Sequence, residues 1–371
     1  TDGNNYLHIM KILIVTSSDS SWNSIRPEAE LFIELARRGH QLTVMTQAGS
    51  EYGRRYAANG IKVIDHHPRN KISFESIRII RREIQAEPYN IVYATNSKSI
   101  PNAAFACIGQ QVKFVTYRGT TGGLYRRDPS AYLTHLHPRV DGIVCVSRTV
   151  RDDVQSRVWK NRKWVVAIHK GHDLAWYDQQ SADLGEFGIG QEAFVAICAV
   201  NARPSKGIEV MLRAAKLLAD LDRFHLLLVG RNMDREPYTS LIKASGMCER
   251  IHVTGYRHDA PELIGASSVL VQPSISGEGL PRAMMEALGN GTPSIITTTG
   301  GGQEVITDGV NGFVVAANDP QWIAERIRQL YDQPLLLDTM ATCCRETLAT
   351  RFSLQQTASH YESYFSAILE Q

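Results

Sequence analysis

The chain has 371 residues, which is more than one ordinary core accommodates and about right for two domains. Its content of 43% hydrophobic and 21% charged residues is typical of a soluble globular protein, and a net charge of +2 gives no case for nucleic-acid binding. No apolar run is long enough to span a bilayer or to form a signal peptide, so we expect a cytoplasmic protein.

Cysteine and histidine spacing gives no sign of a disulfide framework or a metal centre. The six cysteines form no C-x-x-C pair, and the twelve histidines show no H-E-x-x-H spacing. We therefore expect reduced, mostly buried thiols and no metal site. Residues 1–9 precede a Met10-Lys11 pair that resembles a natural start, and we treat them as a loose leader outside the fold.

Strand, loop and helix signals alternate along the first half of the chain, which predicts a parallel α/β sheet. Short apolar runs predict strands at 11–15, 41–45, 61–64, 91–94, 113–117, 142–146 and 165–168. Helices are predicted from about Pro27 to Arg38, from Phe74 to Ala86 and from Arg148 onward. The polar, glycine-containing stretch 178–191 is typical of a linker.

The same alternation restarts after the linker. Strands are predicted at 194–200, 225–229, 251–253, 269–271, 293–297 and 313–315. Helices are predicted at 208–218 and 280–288, and the chain ends in helices, the last of them at 354–369. We therefore divide the chain into a first domain at 10–175, a second domain at 176–350 and a terminal helical segment at 351–371.

The most informative stretch runs from Ser274 to Glu286 and predicts a strand end, a glycine loop and a helix N-terminus. Free N–H groups and the helix dipole at such a point attract an anion. Glu278 lies at the mouth of the helix and Glu286 almost two turns further on, so the two carboxylates suit the two ends of a polyol ligand. The alternative is an ordinary helix with an acidic first turn and one surface glutamate.

The segment Asn201–Gly207 makes a second strand-to-helix connection, and it carries two cations. Arg203 and Lys206 there are suited to neutralising a diphosphate that the helix dipole also favours. The alternative is a basic helix entrance on the surface. Gly230 ends the next predicted strand, and Gly255 opens a turn after the one that follows.

In combination these motifs resemble those of retaining glycosyltransferases of the GT-B fold, glycosyltransferase family 4. The Glu278-x7-Glu286 stretch resembles the family signature, Arg203 with Lys206-Gly207 resembles its phosphate element, and the Gly255 turn resembles its base-binding turn. The resemblance is close from about Phe194 to Val315 and holds only in outline before it. It implies two Rossmann-like α/β/α domains that face each other across a cleft, with a C-terminal helix crossing back to the first domain.

The resemblance also implies a set of site residues. In the family the first glutamate of the signature faces the donor sugar and the second holds the ribose. The implied catalytic residues are Glu278, Lys206, Arg203 and Arg118. The implied donor-binding residues are Glu286, Gly279, Leu280, Tyr256, Arg257, Gly255, Gly230 and Ser24.

Two of these positions depart from the family pattern. Arg118 stands where many members carry a histidine that contacts the donor sugar; an arginine there suits a phosphate or an anionic acceptor, or simply lies on a flexible glycine loop. Ser24 ends a first loop in which Trp22 and Asn23 occupy the place of the family's Gly-Gly pair. We expect this loop to line the cleft.

The resemblance implies that a sugar is transferred with retention from a nucleotide diphosphate sugar, with UDP favoured over GDP. The implied acceptor is a glycan or lipid-linked molecule of cell-envelope polysaccharide or glycolipid synthesis. Because cations and backbone N–H groups would hold the diphosphate, no metal or other cofactor is expected. The alternatives are a sugar-nucleotide epimerase, a glycogen-type phosphorylase, for which no pyridoxal lysine motif is visible, and a catalytically weak nucleotide-sugar-binding subunit.

Basic and aromatic residues are mixed in the run Arg157–Trp164, and the predicted helix 74–86 carries Arg78, Arg81 and Arg82 on one face. Such faces suit an anionic membrane surface, which would place the protein peripherally at the cytoplasmic side of the inner membrane. The favoured alternative is that these cations serve solubility alone.

Overall fold

The structure, a computed structural model, describes residues 9–18, 22–178 and 181–371. The expected leader therefore lies outside the described residues except for Ile9. The chain forms two compact units: the first comprises the chain up to Gly171 together with Leu354–Gln371, and the second comprises His172–Ser353.

The first unit is built on a seven-stranded sheet in which all neighbouring strands are parallel, in the order β3-β2-β1-β4-β5-β6-β7. Its strands are β1 (Lys11–Val15), β2 (Gln41–Thr46), β3 (Lys62–Asp65), β4 (Ile91–Ala94), β5 (Lys113–Arg118), β6 (Gly142–Cys145) and β7 (Val165–Ala167). Its helices are α1 (Trp22–Arg37), α2 (Glu51–Ala58), α3 (Phe74–Ala86), α4 (Ser99–Ala106), α5 (Arg148–Gln155) and the terminal helix (Leu354–Leu369).

The terminal helix packs onto the first unit, as expected. The hydroxyls of Tyr361 and Tyr93, the latter in β4, lie 2.9 Å apart, and both side chains are buried. The Glu362 carboxylate accepts a hydrogen bond from Arg38 at 2.9 Å and lies 3.0 Å from His40 Nε2. A buried carboxylate needs such partners, so these contacts fix the helix where apolar packing alone would let it slide.

The second unit is built on a six-stranded parallel sheet in the order β10-β9-β8-β11-β12-β13. Its strands are β8 (Phe194–Ala199), β9 (Phe224–Val229), β10 (Ile251–Gly255), β11 (Val269–Gln272), β12 (Ser294–Thr297) and β13 (Gly312–Val315). Its helices are α6 (Ile208–Lys216), α7 (Tyr238–Ala244), α8 (Ala260–Gly265), α9 (Arg282–Asn290), α10 (Pro320–Asp332) and α11 (Pro334–Arg351).

Two hydrophobic clusters lie on the two faces of this second sheet. Along β8, Ala196 and Cys198 belong to one cluster, and Val195 and Ile197 belong to the other. Both faces are therefore covered, which is why these strands appear in the sequence as continuous apolar runs rather than as alternating patterns.

The strand order of the second sheet reverses at β8, because β9 lies on one side of β8 and β11 on the other. In open α/β sheets, ligands bind at the carboxyl ends of the strands beside such a reversal. The segments that follow β8 and β11 contain the two stretches that the sequence singled out, 201–207 and the first part of 274–286.

Every strand predicted in the sequence is present within the described residues, with ends shifted by at most two residues. Helix starts were less accurate. α1 begins at Trp22 instead of Pro27, which lies inside the helix, and Trp22 stacks on Tyr52 of α2 with ring centroids 4.5 Å apart. The prediction that Trp22 and Asn23 form a loop is therefore wrong. Both residues belong to the first turn of α1, where the Trp22 indole packs against α2.

α9 begins at Arg282 instead of Leu280, with Pro281 as its N-cap residue. Four short helices, α2, α4, α7 and α8, were not predicted. The six cysteines are free thiols, four of them buried. In the part of the chain that the structure describes, no helix is both long and apolar enough to cross a bilayer.

We predict that Gly142→Ala disturbs the packing of the terminal helix on the first sheet. A Cβ atom at Gly142 would lie 2.0 Å from the Tyr364 hydroxyl and 2.8 Å from Ile368 Cδ1, so these two side chains must move. The free energy of unfolding should fall by about 1–3 kcal/mol, the usual cost of overpacking. Urea unfolding checks this, with Gly49→Ala as the control, because a Cβ there meets nothing within 4 Å.

Candidate active site

The loops after β8 and β11 are joined at the switch point of the second sheet. The carbonyl of Ser205 accepts a hydrogen bond from Ile275 N at 2.8 Å. Between them lies Gly207, with a φ of +67°, where a Cβ atom would stand 1.8 Å from the Pro273 carbonyl oxygen. Only glycine tolerates both conditions, so Gly207 permits the close approach of the two loops.

An acid and a base meet where these loops join. Lys206 Nζ donates to Glu278 Oε1, and the same oxygen accepts from Ser274 Oγ at 2.7 Å and from Gln272 Nε2 at 3.3 Å. Glu278 is only 6% exposed. Its charge is thus held by three donors, as a buried carboxylate requires.

Gln272 and Ser274 were not predicted as site residues. Gln272 ends β11 and Ser274 follows two residues later, so polar residues on either side of Pro273 at the end of an apolar run are the signal that could have identified them. Both side chains are buried. Gln272 Oε1 is buried and has no partner among the described residues. The Gln272 side-chain oxygen, next to Glu278, can therefore still accept a hydrogen bond.

The segment after β12 supports Glu278 from another side. The hydroxyl of Thr297 donates to the Ser274 carbonyl at 2.6 Å, and Gly301 N donates to the Gly279 carbonyl at 2.8 Å. At Gly300, whose φ is +72°, a Cβ atom would clash with the Glu278 backbone at 2.2 Å. The buried Gly279 therefore has a role in loop packing.

Two helix N-termini open at this edge of the sheet. α6 follows Gly207 and α9 follows Pro281, and neither first turn has a side-chain cap. Their leading N–H groups and dipoles favour an anion. Arg203 is exposed beside α6, and no salt-bridge or hydrogen-bond partner of its guanidinium was found among the described residues. Leu280 is partly buried against the core around α9.

Glu286 lies on α9 as a buried acid, 4% exposed. Burial raises its pKa from 4.5 to about 7, against the opposing effect of Arg282, whose Nε lies 3.2 Å from Glu286 Oε1. The charge of Glu262 raises the pKa further. Glu262 Oε2 is itself buried without a partner in the described part of the chain. Glu262, with its unpartnered oxygen, and Glu286, with one arginine contact, have acceptor oxygens that suit a ligand with neighbouring hydroxyls.

The turns after β9 and β10 are also bonded to each other. Gly230 N donates to the Gly255 carbonyl at 2.8 Å, and a Cβ atom at Gly230, where φ is +141°, would lie 1.8 Å from the Val200 carbonyl. Tyr256 is 38% exposed, and the guanidinium of Arg231 lies 4.9 Å above its ring. Arg231 was not predicted, although it directly follows Gly230.

The Arg257 side chain is fully engaged. It forms two hydrogen bonds with Glu186, at 2.7 and 3.0 Å, and two with Asp259, at 2.7 and 2.8 Å. These bonds raise the pKa of Arg257 above its ordinary value. The Arg257 guanidinium is therefore largely occupied by these two carboxylates.

Of the twelve predicted site residues, ten belong to the second unit, whereas Arg118 and Ser24 belong to the first. Arg118 ends β5, and its guanidinium donates to the carbonyls of Thr120, at 2.9 Å, and Gly122. It thus shapes the glycine loop that follows it. Ser24 is exposed in the first turn of α1, not in a loop.

A polar cluster at the carboxyl edge of the first sheet was missed. Glu28 Oε1 accepts from the hydroxyls of Thr16 and Thr95 at 3.0 and 3.1 Å, and Glu28 Oε2 lies 3.3 Å from Lys170 Nζ. Its members come from four separate segments, so no sequence motif announces it. Over 9–18, 22–178 and 181–371, no group of three His, Cys, Asp or Glu residues is arranged to hold a metal ion.

Two Rossmann-like units, each built on a parallel sheet with helices on both faces, are the architecture of the GT-B fold. Residues 29–176 match the family model for Glycosyltransferase Family 4, and residues 180–346 match the model for Glycosyl transferases group 1. The chain belongs to this glycosyltransferase family, and it is a glycosyltransferase.

Individual relatives agree with this assignment over nearly the whole chain. N-acetyl-alpha-D-glucosaminyl L-malate synthase of Bacillus anthracis is 24% identical over 356 residues, which cover 92% of each chain. The lipopolysaccharide core biosynthesis glycosyltransferase LpsE of Rhizobium meliloti is 24% identical over 333 residues, covering 88% of this chain and 91% of LpsE. Anabaena HepE in complex with UDP-glucose shares the fold with a TM-score of 0.76, at 18% identity, covering 96% of this chain and 100% of HepE.

We predict that Glu286 makes stability fall as pH rises. Its pKa in the folded chain, about 7, lies above the ordinary 4.5, so between these values the folded state holds a proton that the unfolded state releases. Stability is lost through this window, by up to about 3 kcal/mol. Glu286→Gln removes this loss, and its stability relative to wild type should therefore increase from about pH 5 to about pH 8.

Urea unfolding of both proteins across that range is the measurement. Glu346→Gln, at an exposed position of α11 in the same unit, is the matched control and should track wild type. A constant difference between Glu286→Gln and wild type across the range would contradict the assigned pKa.

Proposed function

We propose that the chain is a retaining glycosyltransferase that transfers a sugar from a UDP-sugar to a glycan or lipid-linked acceptor of the cell envelope. The observation that carries the proposal is the Lys206–Glu278 pair at the switch point, between two uncapped helix N-termini. The structural neighbour HepE, solved with UDP-glucose, supports UDP as the nucleotide. The relative LpsE, of lipopolysaccharide core biosynthesis, supports an envelope acceptor.

In this proposal the donor diphosphate lies against the N-termini of α6 and α9, where Lys206 and Arg203 supply positive charge. Negative charge accumulates on the diphosphate as the glycosidic bond to it breaks. Fixed donors and cations aimed at that charge lower the barrier without rearranging. Because these groups come from the chain itself, we propose that no metal ion is needed.

Lys206 has two successive partners in this scheme. Before the donor binds, it is paired with Glu278, which also accepts from Ser274 and Gln272. A diphosphate carries more charge than one carboxylate and competes for the lysine. Glu278 then keeps its two neutral donors and turns its remaining acceptor capacity to the donor sugar. In this scheme the Glu278 carboxylate holds the Lys206 side chain at the site until the donor diphosphate binds.

The other parts of the nucleotide fit the remaining features of the second unit. Glu286 and Glu262 offer acceptors for the paired ribose hydroxyls, which would satisfy the buried Glu262 oxygen. The exposed Tyr256 ring and the Arg231 above it offer a flat surface to the base, beside the backbone of Arg257.

Retention follows in this proposal if the acceptor hydroxyl attacks from the face that the diphosphate leaves. The cations near the diphosphate then stabilise the leaving group, and the leaving diphosphate can accept the proton of the attacking hydroxyl. We assign binding of the acceptor to the first unit, where Glu28 and its threonine partners offer polar groups at the carboxyl edge of the sheet. A polyhydroxylated acceptor suits such groups.

The function is tested with a donor panel of UDP-glucose, UDP-galactose, UDP-N-acetylglucosamine and GDP-mannose. Thermal shift should select a UDP-sugar, because a ligand stabilises the folded state by mass action. Incubating that donor with a lipid extract of envelope membranes should yield a glycosylated product whose anomeric configuration, read by NMR, matches that of the donor. Transfer should survive EDTA.

Three outcomes would contradict parts of this proposal. An inverted anomer would overturn retention, and loss of transfer in EDTA would overturn metal independence. A changed sugar nucleotide without any acceptor would indicate an epimerase. Binding of the donor with neither hydrolysis nor transfer would indicate a binding subunit.

We predict opposite effects on UDP affinity for the two members of the ion pair. Glu278→Gln frees Lys206 for the diphosphate and removes a repelling charge, so UDP should bind more tightly, by roughly tenfold at most, or about 1.4 kcal/mol. Lys206→Ala should weaken UDP binding, and both variants should lose sugar transfer. Isothermal titration calorimetry measures the first effect and a transfer assay the second.

The matched control is Lys216→Ala. It removes a cation from the C-terminal end of α6, whereas Lys206 lies just before the N-terminus of that helix. It should leave UDP affinity and transfer unchanged. Weaker UDP binding by Glu278→Gln would mean that the carboxylate serves the bound nucleotide directly rather than holding the lysine.

A further inference from the structure

Two neighbouring segments of the first unit form a surface of one charge sign. They are residues 125–127 and 157–163, and together we call them the basic–aromatic surface. Their ten residues include six cations and no carboxylate, whereas the whole chain has a net charge of only +2. The cations are Arg126, Arg127, Arg157, Lys160, Arg162 and Lys163. Positive charge is therefore concentrated here rather than spread evenly.

Hydrogen bonds fix the two segments against each other. Arg126 donates to the carbonyls of Arg157 and Ser156 at 2.7 and 3.1 Å, and Arg157 donates to the Leu124 carbonyl at 3.3 Å. Arg157 is also paired with Asp153 at 3.0 Å, so it contributes little net charge. The other five cations have no carboxylate partner among the salt bridges of the described residues.

Two aromatic rings are exposed within this surface. Trp159 is 64% exposed and Tyr125 is 52% exposed, and an arginine lies over each: Arg126 is 4.8 Å from the Trp159 ring and Arg157 is 4.9 Å from the Tyr125 ring. Leaving a tryptophan this exposed forgoes a large hydrophobic gain. Trp159 Nε1 donates to the Tyr132 hydroxyl at 3.0 Å, so the ring is held in its exposed position.

An apolar cavity of about 290 Å³ opens beside Trp159. Its lining surface is mostly apolar, with Leu136, Val140, Ile143 and Val158 contributing to it. Lys160 is a cation in the lining, and the lining carboxylate, Asp141, is paired with Arg139. A cavity of this chemistry suits a hydrocarbon chain. It offers nothing to a nucleic acid, which would otherwise suit a basic surface with exposed aromatic rings.

The cavity lies away from the edge at which the first sheet presents its polar cluster. Gly142, the first residue of β6, and Val165, the first residue of β7, both line it. It is thus at the amino edge of these strands, whereas Glu28 and its threonine partners are at the carboxyl edge. The basic–aromatic surface is therefore separate from the acceptor region assigned above.

We propose that the basic–aromatic surface docks on a bilayer that contains anionic phospholipids, with Trp159 at the level of the headgroups and an acyl chain in the adjacent cavity. Each cation near an anionic bilayer contributes about 1 kcal/mol at physiological salt. Amphipathic indole rings favour the headgroup region. Membrane docking does not depend on the identity of the donor or on retention.

Vesicle co-sedimentation of the full chain tests the docking. Binding should be strong on vesicles of phosphatidylcholine with phosphatidylglycerol, weak on phosphatidylcholine alone, and reduced by salt. Lys160→Glu with Arg162→Glu should weaken binding at least about tenfold, since two attractive charges become repulsive. Arg37→Glu with Arg54→Glu makes the same charge change at two exposed positions of the first unit outside the basic–aromatic surface, and it should leave binding unchanged.

Insertion of Trp159 is tested with phospholipids brominated along the acyl chain. Tryptophan fluorescence should be quenched on binding in wild type and much less in Trp159→Phe, which leaves four tryptophans elsewhere. Thermal unfolding confirms that each variant is folded.

Absence of binding to the anionic vesicles at low salt would overturn the proposal. So would equal losses in the two charge-reversal variants, or unchanged quenching in Trp159→Phe. Binding of a single-stranded oligonucleotide by this surface without vesicle binding would assign it to nucleic acid instead. None of these readouts involves sugar transfer, so failure here leaves the proposed reaction untouched.

Discussion

The pairing of Lys206 with Glu278 is the interaction on which the rest of the site depends. It requires two loops from opposite sides of a strand-order reversal to come within side-chain reach, and Gly207 and Gly300 make that approach sterically possible. The Glu278 carboxylate is buried, and burying an unpaired ion is costly, whereas the Lys206 side chain remains 23% exposed. A strongly anionic ligand can bind at this pair by taking the place of Glu278 as the partner of Lys206.

Glu286 shows a second way of keeping an acid at a binding site. It is buried more deeply than its single arginine contact can compensate, so its pKa rises to about 7. The chain thereby gives up stability near neutral pH and retains acceptor oxygens for hydroxyl groups. Glu278 is held by three donors in advance, whereas Glu286 has the single contact with Arg282 and one oxygen of Glu262 has no partner among the described residues. The two acids are thus suited to different parts of one nucleotide sugar, in line with the proposed reaction.

Much of the fold could be predicted because parallel strands buried on both faces must be continuous apolar runs. The strands of both sheets stand out for this reason, and the glycine loops after β8 and β11 mark the ligand edge. Helix starts were harder to place. Pro27 is a typical first-turn residue, yet α1 begins five residues earlier, where Trp22 finds Tyr52 of α2 to stack on. Beginning α1 at Trp22 is favoured by this contact with α2, and no local sequence pattern reveals a contact between two helices.

The sequence by itself determined the order of the strands and of most helices, the family, and most of the residues around the switch point, because backbone geometry and ligand chemistry impose local motifs. Only the tertiary structure decided which side chains meet. It paired Lys206 with Glu278, placed Gln272 and Ser274 behind them, and gathered Glu28 with two threonines from separate strands. Partners in a parallel sheet are brought together by crossovers of many residues, so their spacing in the chain carries no record of their contact.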